Sequence, residues 1–139
     1  MSAAVPIAYD FAVLRAVPHV HLGAFVPVGV VVHARTAGYL GMRTLMGLDQ
    51  LRARVPDVDH ELLARYLASG CAVAAGDPGA GPVALAPPSE RFHWLTAPRS
   101  DVLQSSPVHA GLTDDPARAL DELFAAYVLA PAAGPAGGR

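Results

Sequence analysis

The stretch VGVVVHARTAGYLGMRTL, from Val28 to Leu45, decides the fold. Val28 to Ala34 is a compact β-branched run without Asp, Glu, Lys or Arg, and it reads as a strand buried on both faces. Ala37-Gly38 offers a tight reversal into Tyr39 to Leu45, so the stretch predicts a β-hairpin. Upstream, Tyr9 to Ala16 is rich in β-formers and ends at Pro18, which adds a third strand and an antiparallel sheet. The segment between these strands, from His19 to Pro27, carries turn formers and predicts a loop or a bulged entry to the second strand.

Beyond Gly47 the period changes. Leu48, Leu51 and Val55 recur at helical spacing until Pro56 stops them. Asp57 or Asp59 can cap a longer helix with an apolar stripe of Leu62, Leu63, Tyr66, Leu67 and Cys71, ending at Gly70 or Gly76. Asp77 to Pro88 reads as a loop with a short strand at Val83-Ala84-Leu85, and Phe92-His93-Trp94-Leu95 reads as a further strand. Pro98 and Pro107 bracket Val102-Leu103, which is either strand or ordered loop. Thr113-Asp114-Asp115-Pro116 opens a last helix, because Asp accepts orphan backbone N–H bonds and Pro suits the first turn. Its face of Leu120, Leu123, Phe124, Tyr127 and Val128 is spaced to dock on the sheet. The expected fold is α+β, a small mainly antiparallel sheet packed against two or three helices. It forms one domain over residues 1–130, with a disordered Gly/Pro/Ala tail at 131–139.

Composition excludes several chemistries. All ten basic residues are Arg and none is Lys, so this chain has no Schiff-base lysine, Walker-A lysine or lysine general base. One cysteine, Cys71, rules out internal disulfides and multi-cysteine zinc sites. It sits in an apolar run and reads as a small buried hydrophobe in a reducing, cytoplasmic setting. A net charge of -2 gives no reason to propose nucleic acid or an anionic membrane as partner. Asp10 falls where a signal peptide would be uncharged, and prolines and histidines interrupt the charge-free run between Arg15 and Arg35, so neither export nor a membrane span is expected.

The versatile side chains concentrate in Ser89 to His109. Arg15, Arg91, His93, Trp94, Arg99 and Ser100 form the candidate ligand-binding set, because guanidinium forks bind phosphate or carboxylate bidentately while a hydroxyl and an aromatic face add contacts. Glu90 and Asp101 lie close enough in sequence to engage those arginines structurally instead. His93 and His109 are the candidate acid/base residues. Ser100, His109 and Asp101 or Asp114 can be drawn as a triad, but Gly-x-Ser-x-Gly is absent. His19 and His21 share one side of an extended segment and are the candidate metal ligands, with His33 as a third; no adjacent carboxylate orients them, and no cofactor is expected.

Two blocks carry a family likeness: Tyr9-Asp10-Phe11-Ala12-Val13-Leu14-Arg15 with Gly23-Ala24-Phe25-Val26-Pro27-Val28-Gly29-Val30-Val31, and Glu90-Arg91-Phe92-His93-Trp94 with Thr96-Ala97-Pro98-Arg99-Ser100-Asp101. The chain resembles the small bacterial family called domain of unknown function 3037, in order and over nearly its whole length to Val128. The family's first block usually reads Gly-Glu-Phe-Val-Asn-Val-Gly, whereas Ala24 and Pro27 stand here at the Glu and Asn positions. If those acidic and amide groups bind a ligand, this chain has lost them; if they only hold a turn, Pro27 can replace them. The resemblance also implies a neighbourhood with HipA-like kinases, and hence an accessory role beside such a kinase.

The expected function is therefore a non-enzymatic binding or accessory protein. Its partner would be a phosphorylated or carboxylated small molecule, a kinase, or a second copy of the chain, recognised through the 89–109 segment with Arg15. The alternative is a small phosphate-handling enzyme, hydrolase or nuclease-like, using His93 or His109 with Arg91 and Arg99.

Overall fold

The computed structural model describes residues 5–18, 25–97 and 100–130. The elements run β1 (Ile7–Ala16), β2 (Val26–Ala34), β3 (Tyr39–Thr44), α1 (Gly47–Arg54), α2 (His60–Ala75), α3 (Pro88–Thr96), β4 (Leu103–Ser105), β5 (His109–Thr113) and α4 (Pro116–Phe124), which continues into a π-helical turn over Ala125–Leu129. A five-stranded antiparallel sheet with four α-helices makes the fold α+β. His19, His21, Arg99 and the tail expected to be disordered lie outside the described residues.

The hairpin forms as its sequence requires. A 3-10 turn over Arg35–Ala37 ends at Gly38, whose φ of 62° is left-handed and suits a residue without Cβ. β1 pairs with β2 on one side; on the other, β5 takes Ile7 to Phe11 and β4 takes Leu14 to Ala16. Ser106 bridges the gap between the two short strands: its N–H donates to the Val13 carbonyl at 2.8 Å, and its Oγ accepts from Val13 N–H at 2.9 Å. The β1–β2 register runs from Asp10 opposite His33 to Leu14 opposite Gly29, then shifts so that Arg15 faces Pro27. Proline has no N–H to give a ladder, so a bulge is where it fits.

Alternate side chains leave opposite faces of the sheet. On one face the Phe11 ring lies 5.8 Å from Tyr127, and Arg43 pairs with Asp121 at 2.9 Å while its guanidinium covers Phe124. Gly41 opens that face: a Cβ there would come within 2.2 Å of the Tyr39 hydroxyl and 3.0 Å of Leu120. On the other face Ala12 and Val31 pack with Val73 and Ala74 of α2 and with Phe92 and Leu95 of α3. Helices thus cover both faces, which is why β2 is buried without interruption from Val28 to Ala34.

Asp59 caps α2 by accepting from Leu62 N–H, and Gly76 ends it at φ 74°. Gly70, the other candidate terminus, lies inside the helix, where a Cβ would meet the Met42 side chain at 2.8 Å. Asp115 caps α4, with Pro116 in its first turn. Two expected strands are helical instead. Val83-Ala84-Leu85 belongs to a 3-10 turn over Pro82–Leu85, and Phe92 to Leu95 lies within α3. Pro88 starts α3, Glu90 favours its first turn, and Phe92 and Leu95, three apart, are the two residues it buries. Val102 precedes β4, which begins at Leu103. Among the described residues no helix is long and apolar enough to cross a membrane.

Candidate functional site

Arg15 ends the regular part of β1, between Gln104 of β4 and Pro27 of β2. Its guanidinium carbon sits 4.4 Å from the centroid of the Phe25 ring. Stacking of this kind contributes about 0.5–2 kcal/mol and fixes the plane of the fork. One Nη donates a long bond of 3.4 Å to the Ser105 carbonyl, while Nε is buried with no partner. A guanidinium carries five N–H donors, and leaving one buried and unbonded costs about 1–3 kcal/mol. Among the described residues no carboxylate forms an ion pair with Arg15. Arg43 and Arg118, by contrast, sit in ion pairs with Asp121 and Asp114.

The remaining predicted residues go elsewhere. Arg91 reaches back from α3 to close the C-terminus of α2: Nε donates to the Ala86 carbonyl at 2.9 Å, and one Nη donates to the Val73 and Ala74 carbonyls at 3.1 and 2.8 Å. The Val73 carbonyl also accepts from Gly76 N–H at 3.0 Å, whereas Ala74 presents a helix-end carbonyl without an intrahelical partner. The Ser100 hydroxyl accepts from Val102 and Leu103 N–H at 3.2 and 2.9 Å, which ties the turn leading into β4. Trp94 packs against the core cluster of α2 and α3, and exposed His93 lines a shallow cleft of about 590 Å³ beside it with Glu90 and Ser89.

His109 is on β5, opposite Phe11, with ring centroids 5.5 Å apart. Four residues of strand separate Phe11 from Arg15, about 13 Å at the usual strand rise. His109 thus lies along β1 from Arg15, on the face that Phe11 shares with Tyr127, whereas His93 is on α3 against the other face, so the two histidines stand on opposite sides of the sheet. The drawn triad does not assemble either, since Asp114 pairs with Arg118 and Ser100 is held near the far end of β1. His33, the third histidine offered as a ligand, is 7% exposed and stacks on Phe92 at 5.3 Å. Burial holds its pKa below the ordinary 6.5; nearby Asp10 opposes the shift and Arg35 adds to it. Among the described residues no three of His, Cys, Asp and Glu gather as metal ligands.

The model of the family described as Protein of unknown function (DUF3037) matches residues 11–128, from Phe11 at mid-β1 to Val128 in the π-helical turn. The chain belongs to this family. Neither a curated protein nor a solved structure matches the chain. Family membership brings no activity with it, but it gives Pro27 a meaning. An Asn at this position would place an amide oxygen across the ladder from Arg15, within the reach of a cross-strand pair. Pro27 offers none.

Sequence reasoning missed one groove. It wraps the free edge of β3, measures about 670 Å³, and is lined by Thr44, Met46, Gln50, Cys71, Phe124 and neighbours. Nothing in the sequence announces it, because Thr44 and Cys71 are 27 residues apart and meet only when α2 packs on β3.

Proposed function

We propose that this chain is a binding protein for a ligand bearing a carboxylate or phosphate group, received by Arg15 at the β1–β4 end of the sheet. The observation that carries the reading is the Arg15 guanidinium: stacked on Phe25, bonded among the described residues only to the Ser105 carbonyl at 3.4 Å, and with Nε buried and unpartnered. Charge-assisted bonds from the outer donors of that fork to an anion would be the strongest kind of hydrogen bond the side chain makes. Gln104, opposite Arg15 on β4, can add an amide donor on the same face. The reading keeps Arg15 from the predicted set and assigns Arg91 and Ser100 to structure. It favours binding over catalysis because His93 and His109 lie on opposite sides of the sheet and do not form a pair about the fork.

The test is thermal stability of the full chain in inorganic phosphate, acetate and, as a control for ionic strength, chloride. A ligand at 100 times its Kd adds about 2.7 kcal/mol of stability. The expected result is a saturable rise with phosphate or acetate and none with chloride, abolished in Arg15→Met and retained in Arg91→Met. Equal responses to all three salts, or a rise that survives Arg15→Met, would overturn the proposal.

A further inference from the structure

The groove at the β3 edge gathers every sulfur atom among the described residues. Thr44 is 5% exposed, and its Oγ1 lies 3.8 Å from Cys71 Sγ and 3.9 Å from Met46 Sδ. Those two sulfurs are the hydroxyl's partners; no described oxygen or nitrogen bonds to it, although a side chain so buried ordinarily finds one. Met42, two residues back on the same face of β3, rests its thioether on Gly70, where a Cβ would stand 3.1 Å from Sδ. Gly70 immediately precedes Cys71, and Met42 and Cys71 line the same groove. Met46 is 72% exposed, so its thioether is turned toward Thr44 without being confined there by core packing.

We infer that this groove is a binding site for a soft monovalent metal ion, copper(I), held by the Cys71 thiolate and the Met46 thioether with Met42 as the third ligand. Thiolates and thioethers are the ligands that select copper(I), whereas magnesium, calcium and manganese seek oxygen. Zinc would want further imidazole, carboxylate or thiolate groups, and the described residues bring no three of these together. The binding step is an exchange without redox change: the Cys71 S–H bond breaks, an S–Cu bond forms, and the proton leaves to solvent. Met46 has three rotatable bonds and an exposed position, so it can close on the ion while Met42 and Cys71 stay packed. Thr44 then serves as a positioning residue, its hydroxyl seated between the two sulfurs. This reading uses a different region from the Arg15 proposal and stands independently of it.

The experiment withdraws copper(I) from a chromophoric chelator complex under anaerobic conditions, using the full chain. The expected result is one equivalent taken up, with X-ray absorption showing sulfur-only coordination. Cys71→Ser should abolish uptake, and Met46→Leu and Met42→Leu should each lower affinity by at least the roughly 10–100-fold that loss of supporting groups costs at metal sites. His19→Ala/His21→Ala should leave it intact, and Cys71→Ala provides a second apolar variant if the serine disturbs the fold. No uptake, uptake that follows the two histidines, or uptake that needs Cys71 but neither methionine would each overturn the inference.

Discussion

Pro27 stands directly across the β1–β2 ladder from Arg15, at the point where the register shifts, and offers that guanidinium nothing to bond. Arg15 is stacked on Phe25 with its Nε buried and without a partner, and among the described residues its one bond is the 3.4 Å contact to the Ser105 carbonyl. Replacing Pro27 with Asn supplies an amide oxygen on the same face. If that oxygen engages Arg15, an external anion must compete with a hydrogen bond to a charged group, worth about 1.5–3 kcal/mol. Pro27→Asn is expected to weaken phosphate or acetate binding about tenfold or more, measured by titration calorimetry, with no loss of fold.

Arg91 has the opposite character. Its donors close three carbonyls at the junction of α2 and α3. Arg91→Met keeps the stem but takes the guanidinium from the Ala74 and Ala86 carbonyls, while Val73 keeps its bond from Gly76 N–H, so stability should fall by about 1–3 kcal/mol. Urea unfolding measures that loss, and anion binding should be unchanged. A variant that loses anion binding with unchanged stability would return Arg91 to the ligand site.

His33 makes stability depend on pH. Burial lowers its folded pKa from the ordinary 6.5, so the unfolded chain takes up a proton before the folded one does. Stability is therefore fully present above about pH 6.5 and declines as the pH falls below it, until the folded pKa is reached. Unfolding free energies measured at intervals between pH 7.5 and 5 should show that slope, and His33→Gln should flatten it.

Gly29 tests the packing beside the bulge. A Cβ there would lie 2.9 Å from Thr44 Cγ2 and 3.1 Å from the Arg43 carbonyl, and the carbonyl belongs to the β3 backbone and cannot rotate away. Gly29→Ala is expected to cost about 1–3 kcal/mol by overpacking, read from the midpoint of denaturant unfolding.

The hairpin, α2, and the start of α4 were legible because local chemistry and tertiary packing agree there. The β-branched run, Gly38, the Asp59 and Asp115 caps and Gly76 all specify what forms. Phe92 to Leu95 misleads because the aromatic β-formers Phe92 and Trp94 alternate as in a strand and conceal an i, i+3 burial pattern that the preceding Pro88 and Glu90 turn into a helix. His109 to Thr113 gave no strand signal, since an edge strand of His, Ala, Gly, Leu and Thr depends on the β1 ladder for its conformation. Of the candidate site, the sequence nominates Arg15 and Arg91 alike, and residue type alone does not tell a guanidinium held by several carbonyls from one with a buried Nε lacking a partner. That distinction between Arg15 and Arg91 rests on which carbonyls the fold brings within reach.

Arg15 is proposed to receive an anion, whereas Arg91 is already engaged by the carbonyls of its own chain. Side-chain NMR of the arginine Nε–H groups during a phosphate or acetate titration tests it most directly. The account predicts that the Arg15 resonance moves saturably and that Arg91, bonded to the Ala86 carbonyl, stays in place. An Arg15 resonance that does not respond to either anion would contradict it.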